Sequence, residues 1–243
     1  MRNLKTIYIV FLFGLSLSAC TDRDNNKLDN YPKDTKTSKS DGTPNDSLSF
    51  YYPASFIGDT SLNQFPLDTF HQNWYSSALY AFKEPILYNY YQGHDKYRFL
   101  WLRSFDRPVV FVFNRDKDQV WLTVKLLNKQ PNILDEVLVK SQPKNGDKYK
   151  IEIIPDSIIK ADRKADIVYS RRLDFTMTEW NFFDTLIKSA NFWAIPPTVE
   201  VTGTDGSEWI IEAHLKDKYR FVQRWVPKDK FKSIGNYLIN SSC

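Results

Sequence analysis

The sequence predicts an α+β fold: a single domain in which a twisted antiparallel sheet is packed by about three helices and preceded by a disordered tether. Three observations lead there. Strand-like segments rich in β-branched and aromatic residues are separated by short polar turns, so hairpin connections dominate. Three amphipathic helix patterns stand among these strands without the regular alternation of a parallel α/β chain. Finally, with 42% apolar and 16% aromatic residues but only 8 Gly among 243, the composition excludes collagen-like, coiled-coil and wholly disordered chains.

The elements follow in order. Phe50-Tyr51-Tyr52-Pro53 is an aromatic loop. A helix is predicted from Asp68 or Thr69, either of which can cap it, to Lys83. Phe70, Trp74, Ala78 and Ala81 form its apolar stripe, and Glu84-Pro85 stops it. Strands are predicted over Tyr97 to Phe105, Val109 to Phe113 and Val120 to Leu127, the last two joined by the polar turn Asn114 to Asp118. Lys150 to Ile154 and Ile167 to Arg172 add shorter strands, while Pro131 to Gly146 reads as loop.

Thr176 with Glu179 is a capping box, and Phe175 paired with Trp180 a hydrophobic staple, so a helix is expected over 177–190. Its stripe of Trp180, Phe183, Ile187 and Ala190 should pack on the sheet. Val199 to Thr202, Trp209 to Leu215 and Tyr219 to Trp225 read as a meander, followed after Pro227 by a last helix bearing Phe231, Ile234 and Leu238. Asp95-Lys96-Tyr97-Arg98-Phe99 recurs as Asp217-Lys218-Tyr219-Arg220-Phe221. The flanks do not follow suit, so chance or a shared turn-to-strand solution is preferred to a duplicated half-domain.

The N-terminus reads as an address. Arg2 and Lys5 precede an apolar run from Ile7 to Leu17, too short for a comfortable membrane span. It ends in Leu17-Ser18-Ala19-Cys20, which resembles the lipobox of bacterial lipoproteins. That resemblance implies cleavage after residue 19 and acylation of Cys20 by palmitate-type chains, hence anchoring in the cell envelope. Thr21, Asp22 and Asp24 resemble the acidic export signal of Bacteroidetes surface lipoproteins, although Arg23 interrupts it. The outer membrane is therefore expected, with the leaflet undecided. Residues 20–47 are polar apart from Leu28 and Tyr31 and read as a disordered tether; residues 48–243 form the globular domain. Loss of the leader takes Arg2 and Lys5 with it, lowering the formal charge from +4 to +2, which argues against nucleic acid as partner.

Motifs for chemistry are sparse. His71, His94 and His214 lack partners at metal-ligand spacing, and two cysteines exclude a four-thiolate zinc site, so neither metal nor cofactor is expected. Gly-x-Ser-x-Gly, Gly-x-Gly-x-x-Gly and phosphate-loop patterns are absent. Asp205, Glu212 and His214 could bring carboxylate and imidazole together across the meander as a hydrolase site. The plainer reading makes Asp205-Gly206 a turn and leaves Glu212 and His214 on one solvent face. Cys243 would be the free thiol left after lipidation, either packed or pairing between chains.

The aromatic excess, 7 Trp, 14 Tyr and 17 Phe, suggests contact surface as well as core. Tyr51, Tyr52, Tyr88, Tyr90 and Tyr91 lie beside turns, with Arg171, Arg172, Arg220 and Arg224 as charged neighbours. The run Gly203-Thr204-Asp205-Gly206-Ser207-Glu208-Trp209, with Arg224-Trp225-Val226-Pro227, resembles lipoprotein domains of Bacteroidetes. The resemblance implies origin and anchoring and carries no activity. The sequence thus points to a membrane-anchored, non-enzymatic binding module with an envelope protein as partner, of accessory or immunity type. The alternatives are an envelope hydrolase using carboxylate and histidine, or a carrier of an apolar ligand held between helix and sheet.

Overall fold

A computed structural model of the chain describes residues 31–53, 67–131, 165–199 and 205–242. Six strands, β1 (Asp95–Arg103), β2 (Val109–Asp116), β3 (Gln119–Leu127), β4 (Ile167–Phe175), β5 (Ser207–Leu215) and β6 (Lys218–Trp225), form one sheet in the order β4-β3-β2-β1-β5-β6. Every neighbouring pair is antiparallel. Helices α1 (Thr69–Ala81), α2 (Met177–Ser189) and α3 (Asp229–Asn240) complete an α+β domain. The expected strand at Lys150 to Ile154, the loop at Pro131 to Gly146 beyond its first residue, Cys20 and Cys243 lie outside the described residues, as does Val199 to Thr202 apart from a non-strand Val199.

Strand alternation sorts the side chains into two layers. Tyr97, Phe99, Phe111, Phe113, Leu122, Trp209, Ile211 and Val222 face α2 and α3 and form an apolar core with Trp180, Phe183, Ile187, Ile234 and Leu238. Leu100, Leu102, Val110, Val112, Ile210 and Phe221 point the other way, onto α1 and the loop bearing Tyr51 and Tyr52. Full burial of each large side chain stabilises by about 1.5–3 kcal/mol.

Local signals account for the helices. Thr176 and Glu179 form the reciprocal capping box that starts α2, and the staple residues Phe175 and Trp180 both pack on Phe113. Helix α2 ends in a Schellman turn: Asn191, at φ 53°, donates to Lys188 O, and Phe192 N–H donates to Ile187 O. Gly235 lets α3 sit on the sheet, since a Cβ there would come within 2.2 Å of the Trp209 ring.

Helix α1 is capped by Asp68, whose carboxylate accepts from His71 N–H at 2.8 Å. Its inward stripe differs from the expectation: Tyr75, Ala78 and Leu79 are buried with Gln72 and Ser76, while Phe70 is 41% exposed. The reason is polar. Ser76 Oγ accepts from Tyr51 N–H at 3.0 Å and Gln72 Nε2 donates to Tyr52 O at 3.3 Å, so these two side chains face inward and turn the helix. The helix closes in the same Schellman geometry, with Lys83 at φ 55° and Glu84 N–H donating to Leu79 O, which aims Glu84 at the sheet.

The tether expectation is corrected from Tyr31 onward. Tyr31 is 5% exposed, and its hydroxyl donates to Leu215 O at 2.8 Å. Asn89 bonds Asp34 N–H, Asp34 O and Ser38 Oγ, and Gly42 O accepts from Ile86 N–H. One aromatic anchor and backbone hydrogen bonds to a rigid loop offset an ordering cost that apolar content alone could not.

The repeated pentapeptide serves two different ends. β1 and β6 flank β5, but Arg98 pairs with Glu212 whereas Arg220 pairs with Ala213. Tyr97 and Phe99 therefore face α2 and α3, while Phe221 faces the opposite layer. The one-residue offset inverts every equivalent side chain.

Candidate functional site

The polar centre of the α1 side is set by register. Arg98 on β1 lies directly across from Glu212 on β5, and both are 0% exposed. Arg98 Nε donates to Glu212 Oε2 at 2.5 Å and Nη2 to Oε1 at 2.8 Å, a two-pronged pair, and Nη1 donates to Pro85 O at 2.7 Å. Tyr219 donates to Glu212 Oε1 at 2.9 Å, and the Tyr52 hydroxyl lies 3.4 Å from Oε2. Burial alone would lower the Arg98 pKa, but the Glu212 charge and its hydrogen bonds outweigh it and raise it. Tyr52 and Tyr219 are pushed well above the usual phenol range, by burial and by the Glu212 charge. Glu84 extends the network: its Oε1 accepts from Lys125 Nζ at 2.7 Å, and Oε2 lies 3.9 Å from Arg98 Nη1.

His214, two residues on, occupies the same layer and is also 0% exposed. Gln92 N–H donates to Nε2 at 3.2 Å, so Nδ1 carries the proton and donates to Leu87 O at 2.8 Å. Tyr91 stacks on the ring at 5.3 Å and Tyr31 meets it edge-on at 5.2 Å. Burial, with the nearby Lys96 charge, lowers its pKa to about 3, which makes it a neutral imidazole at ordinary pH. Lys96, itself lowered to about 8 by burial, donates to Gln92 Oε1 at 2.7 Å.

The expected solvent face for Glu212 and His214 is thus corrected. They share a face, but it is covered by α1, the 31–53 segment and the 82–92 loop. Asp205 is exposed just before β5, roughly 20 Å from Glu212 at about 3.3 Å per extended residue. The structure does not assemble Asp205, Glu212 and His214 into one constellation.

A second cluster has no counterpart in the sequence reading. His71 Nδ1 lies 2.8 Å from Asp68 Oδ2, and its Nε2 faces Glu208 Oε1 at 3.9 Å. Glu208 is 2% exposed; Gln223 Nε2 donates to its Oε2 at 2.5 Å, and burial raises its pKa against the pull of that bond and of His71. Asp68 and His71 are one helical turn apart, a weak signal on its own; the Glu208 partner comes from β5 and no linear spacing announces it.

The aromatic contact surface is also corrected. Tyr51 and Tyr52 are 1% and 0% exposed because they fill the layer between α1 and the sheet. Tyr88 packs near Tyr219, Tyr90 donates to Lys33 O at 2.9 Å and Tyr91 reaches Asp95. These three rings are half-buried and hold the N-terminal segment in place. Arg220 and Arg224 donate to the carbonyls of Ile195 and Pro196 at 2.5 and 2.6 Å, clamping the segment beside β6. Arg171 and Arg172, by contrast, are exposed on β4.

A cleft of about 930 Å³ lies between residues 41–51, the C-terminal end of α1 and residues 165–166, lined by Asp41, Leu48, Tyr80, Lys83, Glu84 and Asp166 among others. It is of ligand size, but it opens beside the helix end, whereas an apolar carrier was expected to hold its ligand between helix and sheet. Among the described residues no cluster of three or more His, Cys, Asp or Glu could hold a metal, and no helix is long and apolar enough to cross a membrane. Comparison with protein families, with curated proteins and with solved structures finds no match.

Proposed function

We propose that the protein is a cell-envelope lipoprotein, held at the outer membrane by a lipid on Cys20, whose domain is a non-enzymatic module that binds a protein partner as an accessory or immunity-type subunit. The observation that carries this reading is the engagement of Glu212 and His214. Each is buried and fully bonded, one by Arg98 and Tyr219, the other by Leu87 and Gln92. Groups so held orient strands and loops, and their hydrogen-bonding atoms are already engaged within the fold. The lipobox sequence supports the anchoring.

Cross-linking in native envelopes with a tagged full chain that retains Cys20, followed by mass spectrometry of proteins and small molecules, tests it. A single stoichiometric protein partner is the expected result; a glycan or lipid retained without any protein contradicts it. A second reading, an envelope hydrolase, is favoured by one observation: the His71 imidazole set between Asp68 and Glu208. Turnover of an envelope ester, amide or glycoside that is lost in a folded His71→Ala chain would select it.

A further inference from the structure

The two edges of the sheet are treated differently. At β6, Gln223 N–H donates to Pro197 O at 2.7 Å, and Arg220 and Arg224 fasten residues 195–197 alongside, so that edge is covered. At β4, the outermost strand at the other end among the described residues, residues 168–172 are all exposed, including Val168 at 52% and Tyr169 at 45%. A nine-residue edge strand is a ready template for another extended chain, and proteins ordinarily blunt such edges.

We propose that β4 is a docking edge for an extended acidic segment of the partner protein, which adds to the sheet as a further antiparallel or parallel strand. This rests on the binding-module reading above and names the partner's chemistry. The charge pattern selects the occupant. Arg171 and Arg172 project to opposite faces of β4. Arg172 lies over the Trp121 ring at 4.4 Å, with Nε 3.6 Å from the exposed Asp174, while Arg171 has no ion-pair or hydrogen-bond partner among the described residues. An incoming strand with carboxylates at neighbouring positions meets one guanidinium on each face while its backbone supplies the ladder. A second copy of this chain is disfavoured, because pairing β4 with itself near its middle sets arginine opposite arginine.

The test uses the full chain in detergent and a fluorescent decapeptide in which adjacent Glu-Glu pairs are separated by Val-Val pairs, so that each pair offers one carboxylate to each face, against a control with Lys in place of Glu. The expected result is binding of the acidic peptide alone, protection of β4 backbone amides from hydrogen exchange, and a loss of at least about tenfold in affinity when Arg171→Glu and Arg172→Glu are combined. Both arginines are exposed, so the variant should keep the wild-type circular dichroism. Equal binding of the lysine peptide, protection elsewhere, no binding, or self-association through β4 would each overturn the proposal. The same variant separates this claim from the one beneath it. If it still captures the envelope partner with unchanged yield, β4 is not the docking edge and the binding reading stands; if the wild-type chain captures no protein, the binding reading itself fails.

Discussion

The two faces of the sheet are equally dry but are held by different physics. Towards α2 and α3 the strands present Phe99, Phe111, Phe113, Leu122 and Ile211, and stability there follows area removed from water. Towards α1 the same strands bury Lys96, Arg98, Glu208, Glu212 and His214, each under 7% exposed. Desolvating those charges costs about as much as their pairing returns, so the second face gains orientation more than stability. It fixes where the 31–53 segment and the 82–92 loop lie, through Arg98 on Pro85 O, His214 on Leu87 O and Tyr31 on Leu215 O. Burial by itself is therefore a poor guide to function: Glu84, Lys96, Arg98, Glu208 and Glu212, the buried Glu, Lys and Arg side chains among the described residues, act as interior fasteners.

The contrast can be broken from either side. The largest effect is expected from Glu212→Ala, which leaves Arg98 buried without its carboxylate and should cost about 3–5 kcal/mol in urea unfolding. Combining Arg98→Met with Glu212→Leu should recover most of that loss; a double variant as unstable as the single one would mean that the pair contributes net stability. On the apolar face, Gly235→Ala should cost about 2 kcal/mol, because its Cβ meets the rigid Trp209 ring at 2.2 Å. Unchanged stability there would show that α3 can lift off the sheet cheaply.

Acid should act on the polar face. The His214 pKa is lowered in the fold from 6.5 to about 3. The unfolded chain therefore takes up a proton first, and the stability this residue contributes is present above pH 6.5 and lost as pH falls through that window. The slope approaches about 1.4 kcal/mol per pH unit below pH 6.5. Glu208, raised in the fold, works in the opposite direction. Comparing wild type with His214→Gln at pH 7 and pH 5 isolates the histidine, and the variant should show the shallower loss. The smallest change is at the α2 cap: Thr176→Ala, which removes the hydroxyl of the capping box, should cost about 1 kcal/mol by thermal or urea unfolding.

What was legible in the sequence was whatever is local. The capping box at Thr176 and Glu179, the β-branched and aromatic strand runs and the α3 stripe of Phe231, Ile234 and Leu238 are each determined within a few residues, and each stands in the structure; the turn expected over Asn114 to Asp118 narrows to Lys117-Asp118, because Asn114 to Asp116 continue β2 in its ladder with β3. The inward stripe of α1 is not legible locally, because Gln72 and Ser76 turn inward to bond the 51–53 backbone, a long-range demand that hydropathy does not register. The same holds for the polar layer. Glu212 and His214, two apart on a strand, look like a solvent face until β1 places Arg98 opposite and the 82–92 loop closes over the imidazole. Tyr51 and Tyr52 beside a turn look like contact residues until α1 lands on them. Asp68, His71 and Glu208 meet only because β5 starts under the first turn of α1.

The central claim, that the meander's imidazole and carboxylate hold the fold, is tested most directly at His214. Its ring-nitrogen chemical shifts, followed by nuclear magnetic resonance from pH 8 down to about pH 4, should report a neutral ring with the proton on Nδ1 throughout. A ring that titrates near 6.5, or one protonated on Nε2, would mean that the Leu87 and Gln92 bonds do not confine it, and would return His214 to the list of groups able to exchange a proton with a substrate.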